Sequence, residues 1–184
     1  MWMFEPDKLL ERRRRRKGPA PTGWSVRPAG ADDEPFLREM SYGAAFWRDG
    51  QERPSFDEAL ADPMLRRYVE GWGRGGDAGF IAEEQGGARI GACWIRLFAP
   101  DAPGYGFVDA SVPELSIYVV PERRGGGIGG RLIQTALEHA TREAVPAVSL
   151  SVAADNPAIR LYERHGFVQV GFDGHSYTMR ADLY

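Results

Sequence analysis

The sequence is poor in cysteine, with Cys93 as the single one among 184 residues. This excludes an intramolecular disulfide and a cysteine-rich zinc site. No run of about 18 apolar residues occurs, so no membrane-spanning helix is predicted. The N-terminus also lacks an apolar stretch of signal-peptide length. From these absences we expect a cytoplasmic protein without a membrane partner.

Charge is distributed unevenly along the chain. The formal net charge is −3, but residues 1–23 are basic and leave 16 basic and 23 acidic residues in the body, a net charge of −7. An acidic body disfavours a nucleic-acid partner and suits a cationic amine substrate. The tract Arg12–Lys17 predicts a flexible, self-repelling arm over residues 1–23. Contact of this arm with nucleic acid or another anionic surface is the alternative.

Residues 24–184 have the length and composition of one globular domain. Hydrophobic periodicity predicts the element order β-α-α-β-β-β-α-β-α-β-β, which indicates an α/β fold with strands of mixed direction. The capping-box pattern of Ser55–Glu58 predicts the start of the second helix. We expect that helix to continue to Trp72, with a break at Pro63.

The most informative segment joins a strand, Glu114–Val120, to an amphipathic helix, Ile128–Ala144, through a glycine cluster. Five of the six residues 125–130 are glycine. Glycine lets the backbone approach a ligand closely and adopt positive φ, and the first amides of a helix have no internal acceptor. Such a helix start binds phosphate groups. A tight turn without a ligand is disfavoured, because so many glycines cost unfolded-state entropy.

Several phosphate ligands use glycine clusters of this kind. A P-loop requires Gly-Lys-Ser/Thr, and the matching stretch here reads Gly-Gly-Arg, so that motif is absent. The dinucleotide fingerprint G-x-G-x-x-G is present at Gly125, Gly127 and Gly130, and Asp155 follows the next strand. Only 54 residues remain after Gly130, which is short for the further βαβ units of a dinucleotide-binding domain. A nicotinamide-dependent oxidoreductase is therefore the lesser alternative.

The run Arg124-Gly125-Gly126-Gly127-Ile128-Gly129 matches the signature (R/Q)-x-x-G-x-(G/A), and here the chain resembles the GNAT superfamily of N-acetyltransferases. The resemblance implies an α/β GNAT fold, with a central mixed, mostly antiparallel sheet of about seven strands flanked by about four helices. It also implies that acetyl-CoA is the co-substrate. Backbone amides from Arg124 to Gly130 would hold its pyrophosphate.

A second motif lies one helix and one strand later. Residues 156–167 resemble the family pattern N-x-x-A-x-x-L-Y-x-x-x-G-F, except that Ala158 follows Asn156 by two positions and not three. On physical grounds we expect Asn156 to cap a helix whose first residue is Pro157. The resemblance adds contacts from Asn156 and Ala158 to the pantetheine arm of the coenzyme.

The resemblance also indicates the catalytic residues. Glu114, at the start of its strand, is the expected general base, with a salt bridge or an exposed strand end as the alternative. Tyr162 is the expected acid for the leaving thiolate, since a phenol with a pKa near ~10 stays protonated; packing on the sheet is the alternative. A backbone amide near Val119 or Val120 is expected to hold the thioester carbonyl.

The implied coenzyme contacts lie on one strand end, the glycine turn and one helix start. They are Tyr118, Val119, Val120, Arg124, Gly125, Gly126, Gly127, Ile128, Gly129, Gly130, Asn156 and Ala158. No metal is expected, because the three histidines show no ligand spacing. Cys93 lies in an apolar strand without an adjacent histidine, which argues against a covalent acyl-enzyme.

The resemblance implies acetyl transfer to a primary amine of a small molecule, peptide or protein. The acceptor would lie near the first two helices and the loop before Glu114. The aromatic residues of these segments are candidate pocket residues: Tyr42, Trp47, Tyr68, Trp72, Tyr105 and Phe107. Core packing is the alternative for all six, and a non-catalytic acyl-CoA-binding domain is the alternative for the whole chain. Family members often form homodimers.

Overall fold

A computed structural model describes residues 23–184. The tract Arg12–Lys17 and the rest of the predicted basic arm, apart from Gly23, lie outside the described residues. The strands are β1 (Trp24–Pro28), β2 (Ala78–Glu84), β3 (Arg89–Arg96), β4 (Glu114–Val119), β5 (Ala147–Ala153), β6 (Val168–Phe172) and β7 (Ser176–Asp182). The α-helices are α1 (Glu34–Ala45), α2 (Phe56–Ala61), α3 (Pro63–Arg66), α4 (Ile128–Arg142) and α5 (Ile159–Arg164).

All seven strands form one sheet in the order β1-β2-β3-β4-β5-β7-β6. The neighbouring strands are antiparallel except for β4 and β5, which run parallel. The predicted element order and the predicted mixed, mostly antiparallel sheet are therefore confirmed. Five α-helices are described and not four, because Asp62 leaves the helical conformation and caps a separate helix that begins at Pro63.

The predicted start of the second helix agrees with the structure, but its predicted end does not. The capping box is confirmed, since the Ser55 hydroxyl accepts from the Glu58 amide and the Glu58 carboxylate accepts from the Ser55 amide. The extension to Trp72 is wrong. After α3 the carbonyls of Arg67 and Glu70 accept hydrogen bonds from the buried Arg96 guanidinium at 2.8 and 2.9 Å. The segment folds into turns around this side chain instead of continuing as a helix.

Each face of the sheet carries its own hydrophobic core. On one face α4 packs its apolar stripe, Ile128, Leu132, Ile133, Ala136 and Ala140, against β2 to β5. On the other face α1 and the segment after α3 pack against β2 to β4, around Leu37, Val69 and Trp94. Strand residues alternate between these cores, so β4 directs Leu115 to the α4 face and Tyr118 to the α1 face.

The feature that positions the site is the gap between β4 and β5. These strands pair at a single register position, Glu114 with Ser149, whereas β3 and β4 pair over six positions. Beyond Ser116 the β5-facing edge of β4 therefore has no ladder partner among the described residues. Backbone groups are exposed at this gap, where another chain or ligand can pair with them.

No helix among residues 23–184 is both long and apolar enough to cross a membrane.

Candidate active site

The glycine turn has the backbone geometry of an anion-binding loop. Gly125 and Gly127 have φ of +82° and +80°, a region that other residues rarely adopt. A Cβ added at either position would meet no atom within 4 Å, so the outer side of the turn is open. The first intrahelical bond of α4 runs from the Arg131 amide to the Gly127 carbonyl at 3.0 Å. The preceding amides of the helix start are available to a phosphate group.

Packing behind the turn is tight at Gly129, whereas a methyl group at Gly130 would make an ordinary contact. A Cβ on Gly129 would lie 3.2 Å from a methyl group of Leu161, and one on Gly130 would lie 3.5 Å from the His165 ring. Helix α5 therefore lies directly against the first turn of α4. Ile128 is buried in the core, so its amide, and not its side chain, is left to face a ligand.

The Arg124 side chain folds back onto the end of β4. Its Nε donates to the Val119 carbonyl at 3.1 Å, and its guanidinium lies 5.1 Å from the centre of the Tyr118 ring. The Tyr118 ring in turn packs on the backbone of Gly43, where a Cβ would overlap it. The Arg124 side chain thus connects the glycine turn to the end of β4.

The helix start at Asn156 differs from the sequence expectation. Helix α5 begins at Ile159, two residues after the predicted first position, Pro157. The Asn156 side chain caps the preceding turn, where its Oδ1 accepts from the Ala158 amide at 2.9 Å. Asn156 and Pro157 favour such a side-chain-capped turn before a helix. Since this bond occupies the Ala158 amide, a coenzyme contact at Ala158 would use its methyl group.

The available amide on β4 is that of Val119. The Val120 amide donates to the Ile90 carbonyl of β3 at 3.0 Å, so it is not free to bind a ligand. Strand amides alternate in direction, which directs the Val119 amide to the opposite edge, into the gap between β4 and β5. Of the two predicted oxyanion donors, the amides of Val119 and Val120, the Val119 amide is the one with a direction that suits the role.

Glu114 is a buried carboxylate at the closed end of this gap. It is 3% exposed, and its Oε1 accepts a hydrogen bond from the Tyr68 hydroxyl at 2.5 Å. Burial raises its pKa to about 7, against the smaller opposing effects of Tyr68 and the nearby Gly106 amide. A carboxyl group with a pKa near neutrality is suited to accept a proton from an amine. The burial of Glu114 contradicts an exposed strand end, and its carboxylate forms no salt bridge with any residue between 23 and 184.

A potential counter-ion for Glu114 is already paired. Arg96 is the register partner of Glu114 across β3 and β4, and its guanidinium bonds to Asp77 at 2.7 Å with both side chains buried. Sequence analysis missed Asp77 and Arg96, although an arginine within an apolar strand is a signal of a buried ion pair. With Arg96 paired to Asp77, burial dominates the pKa of Glu114.

Tyr162 lies on the α4 face of the sheet. It is buried in that core and packs edge-on against Phe167, with ring centres 6.0 Å apart. Burial, and to a smaller extent Cys93, raises the pKa of the Tyr162 phenol above its ordinary value. Among the described residues no hydrogen bond contributes to that pKa. The hydroxyl therefore stays protonated at neutral pH, as a general acid requires. Cys93 is itself fully buried, and burial raises the pKa of its thiol.

The two candidate catalytic residues lie on opposite faces of the sheet. Glu114 bonds to Tyr68, which belongs to the α1-face core, whereas Tyr162 belongs to the α4-face core. The Val119 amide points into the opening between β4 and β5, whose closed end is the register pair of Glu114 and Ser149.

The predicted acceptor aromatics separate into three that pack in or against the α1-face core and three that lie outside both cores, Tyr42, Trp47 and Tyr105. Tyr68, Trp72 and Phe107 pack in or against the α1-face core, as the alternative held. Tyr105 is 55% exposed and stacks on Tyr68 with ring centres 5.9 Å apart. Tyr42 bonds through its hydroxyl to the Pro54 carbonyl and contacts Phe46 and Phe56.

A bidentate ion pair joins the loop after α1 to the loop after β5. The Arg48 guanidinium contacts the Asp155 carboxylate at 2.7 and 3.2 Å. Asp155 is the acidic residue that the dinucleotide fingerprint required for a ribose, and here it is bound to arginine. Within residues 23–184 no group of three histidine, cysteine or acidic side chains is arranged to hold a metal ion.

A family model described as the acetyltransferase (GNAT) family matches residues 44–167. This range contains the glycine turn and both candidate catalytic residues. The mycothiol acetyltransferase of Acidimicrobium ferrooxidans is 32% identical over 143 residues, which are 76% of this chain and 41% of that protein. The chain spans less than half the length of the curated relatives it matches.

Solved structures share the fold. The ribosomal-protein-alanine N-acetyltransferase of Brucella melitensis is 25% identical, with a TM-score of 0.63, and the match covers 86% of this chain and 99% of that one. A phosphinothricin acetyltransferase from Sinorhizobium meliloti in complex with acetyl-CoA is 24% identical, with the same TM-score, over 88% and 89% of the two chains. The predicted fold and family resemblance are thereby confirmed.

Proposed function

Because the chain belongs to the GNAT acetyltransferase family, we propose that it transfers the acetyl group of acetyl-CoA directly to a primary amine. The observation that carries this proposal is the position of Glu114, a buried carboxyl with a raised pKa, at the closed end of the gap between β4 and β5, into which the Val119 amide points. Tyr162 adds a buried, protonated phenol on the α4 face of the sheet. These groups are the base, the acid and the oxyanion donor that amide formation from a thioester requires.

The residues around the glycine turn fit acetyl-CoA. The turn presents an open outer side and free helix-start amides, which suit a pyrophosphate. The unpaired edge of β4 suits the amide groups of a pantetheine arm, which can pair with it as an added strand. Acetyl-CoA supplies the activated acetyl group, and the protein supplies position and polarity.

The proposed roles follow from the chemistry of each group. Glu114 takes the proton from the attacking amine, whose nitrogen forms the new C–N bond. The Val119 amide stabilises the negative charge on the thioester oxygen. Tyr162 gives its proton to the sulfur as the C–S bond breaks. The proton on Glu114 then passes to solvent, and Tyr162 takes a proton back from solvent. One proton enters the protein at Glu114 and one leaves at Tyr162.

For the acceptor, we propose a small amine and not a nucleic acid. The acidic body of the chain supports a cationic substrate. Several relatives carry the name mycothiol acetyltransferase, so mycothiol-related amines belong first in an acceptor panel, before amino acids, polyamines and peptides. We also propose a homodimer. The support is the outermost strand β6, which exposes Val168, Val170 and Phe172.

Steady-state release of CoA with an amine panel tests the function. We expect turnover by the wild type and losses of about 10²-fold or more in kcat for Glu114→Gln and Tyr162→Phe. Full activity of both variants would remove these roles. A wild type that binds CoA but acetylates no amine would favour the alternative, a non-catalytic acyl-CoA-binding domain.

A further inference from the structure

Three polar side chains are buried together at the closed end of the gap between β4 and β5. Glu114 and Ser149 are the one register pair that joins the two strands, and paired residues project from the same face of a sheet. Tyr68 reaches this face from the segment after α3 and bonds to Glu114. Ser149 is fully buried, as is most of Tyr68.

The two carboxylate oxygens of Glu114 have different surroundings. Oε1 accepts from the Tyr68 hydroxyl, whereas Oε2 is buried without a hydrogen bond of good geometry among the described residues. The Gly106 amide lies close enough to the carboxylate to lower its pKa, but it does not complete such a bond. The Ser149 hydroxyl is also buried without a partner among the described residues. Leaving a buried polar atom unpaired costs roughly 1–3 kcal/mol, so two such atoms on adjacent register partners mark a place for a polar ligand atom or a bridging water.

A short segment, Gly104–Gly106, covers this group and will be called the roof. A Cβ on Gly104 would overlap Glu114 Oε2 and lie 2.8 Å from the Tyr68 hydroxyl oxygen. A Cβ on Gly106 would lie 2.6 Å from the Ser151 amide nitrogen of β5. Both glycines are therefore required for the roof to lie this close to the base and to β5.

The Tyr68 hydroxyl connects the roof to the base. It accepts a hydrogen bond from the Tyr105 amide at 2.6 Å and donates to Glu114 Oε1 at 2.5 Å. The Tyr68 ring packs against Phe98, with ring centres 5.0 Å apart. The backbone carbonyl of Tyr68 accepts a hydrogen bond from the Trp94 indole. One hydroxyl thus fixes both the roof and the orientation of the carboxylate.

We infer that Tyr68 and Ser149 are positioning residues for the base, an inference that rests on the proposed function. Tyr68 fixes Oε1, so that Oε2 is the oxygen that receives the proton. Ser149 and Oε2 together hold a water that hands one proton to Oε2 and takes one from the amine. Glu114 can then act without leaving its buried position under the roof.

Tyr68→Phe tests the first role, because it removes the hydroxyl and keeps the ring. The Tyr68 hydrogen bond stabilises the ionised form of Glu114, so its loss should raise the pKa of that carboxyl. The acidic limb of the pH profile of kcat/KM should then move to higher pH by about one unit. The KM for acetyl-CoA should stay within about twofold. The matched control is Tyr184→Phe, which removes the bond from an exposed tyrosine to the Thr141 carbonyl and should leave the profile unchanged.

Ser149→Ala tests the second role. We expect kcat to fall by roughly tenfold or more, because the water held by Ser149 and Oε2 is lost. The acidic limb of the pH profile of kcat/KM should stay at its wild-type position, because the hydrogen bond from Tyr68 remains. Ser176→Ala on β7 is the control and should retain wild-type kcat. A carbon-13 NMR titration of the Glu114 carboxyl, assigned with Glu114→Gln, measures the Tyr68 effect independently of turnover.

The outcomes separate this inference from the proposed function. If Glu114→Gln is inactive while Tyr68→Phe and Ser149→Ala keep the wild-type pH profile and kcat, the positioning roles are overturned and the base role stands. If Glu114→Gln is fully active, the proposed base itself is wrong. A Tyr68→Phe carboxyl that titrates at the wild-type pH would overturn the role of Tyr68 even where the variant loses activity through instability.

Discussion

The chemistry of the site depends on the burial of one carboxyl group. Glu114 lies beside an arginine in register, Arg96, and yet its pKa is raised, because Asp77 has already paired that arginine. The hydrogen bond from Tyr68 opposes the effect of burial without cancelling it. A group that titrates near neutral pH can take a proton from an amine and release it to solvent within one turnover.

The first prediction concerns activity and pH. Since Glu114 must be ionised to act as a base and burial raises its pKa to about 7, kcat/KM should rise with pH through that region. The profile should fall about tenfold per pH unit below it. Initial rates between pH 5 and 9 with a fixed acceptor check this. A flat profile across pH 6–8 would contradict the assignment.

The second prediction concerns stability and pH. The pKa of Glu114 is higher in the folded protein than its ordinary 4.5, so its contribution to stability is present below that ordinary value and is lost as pH rises through about 7. Glu114→Gln removes this dependence. The free energy of unfolding of the variant minus that of the wild type, each measured at the same pH, should therefore increase by roughly 3 kcal/mol from pH 4 to pH 9. Urea denaturation of both proteins at several pH values measures this difference. A difference that stays the same from pH 4 to pH 9 would contradict the raised pKa of Glu114.

At the scale of elements, the glycine turn and helix α4 form one structural unit, which we propose binds the coenzyme. The turn brings the backbone to positive φ, and the helix directs its first amides to the same side. Much of this unit could be predicted from the sequence, because the glycine turn and the apolar stripe are local features. The register of β4 and β5 could not be predicted, since it depends on the roof and on both cores.

The third prediction separates binding from stability at this turn. Gly127→Ala should cost about 1 kcal/mol of stability from its positive φ and raise the KM for acetyl-CoA about tenfold, because a methyl group alters the helix-start amides. Gly87→Ala is the matched control, with φ of +84° in the hairpin turn between β2 and β3 and an equally open Cβ position. It should lose similar stability and keep the wild-type KM. Equal KM values for the two variants would argue against the coenzyme site.

The fourth prediction concerns the ion pair that holds the segment after α3 to β3. Asp77→Ala leaves the Arg96 guanidinium buried without its partner, which typically costs about 3–5 kcal/mol. Asp182→Ala removes the exposed partner of Arg180 and should change stability little. Thermal denaturation compares the two variants. Similar small losses for both would show that the Arg96 pair is unimportant to the fold.

At the scale of the whole molecule, sequence reasoning succeeded where neighbours in sequence decide the structure. The two motifs around Arg124 and Tyr162 predicted the fold and the family. The contact between Tyr68 and Glu114 joins residues 46 positions apart, and no local pattern indicates it. The choice of Val119 over Val120 likewise requires the pairing of β4 with β3. Side-chain burial and strand register are properties of the assembled sheet.

The measurement that tests the central claim most directly is thermal denaturation of the purified protein with acetyl-CoA, CoA and NADH. A ligand that binds the folded state should stabilise it by about 2.7 kcal/mol at a hundredfold excess over Kd. We expect a shift in melting temperature with acetyl-CoA and CoA, a smaller shift in Gly127→Ala, and none with NADH. A shift with NADH and none with acetyl-CoA would contradict the proposed function.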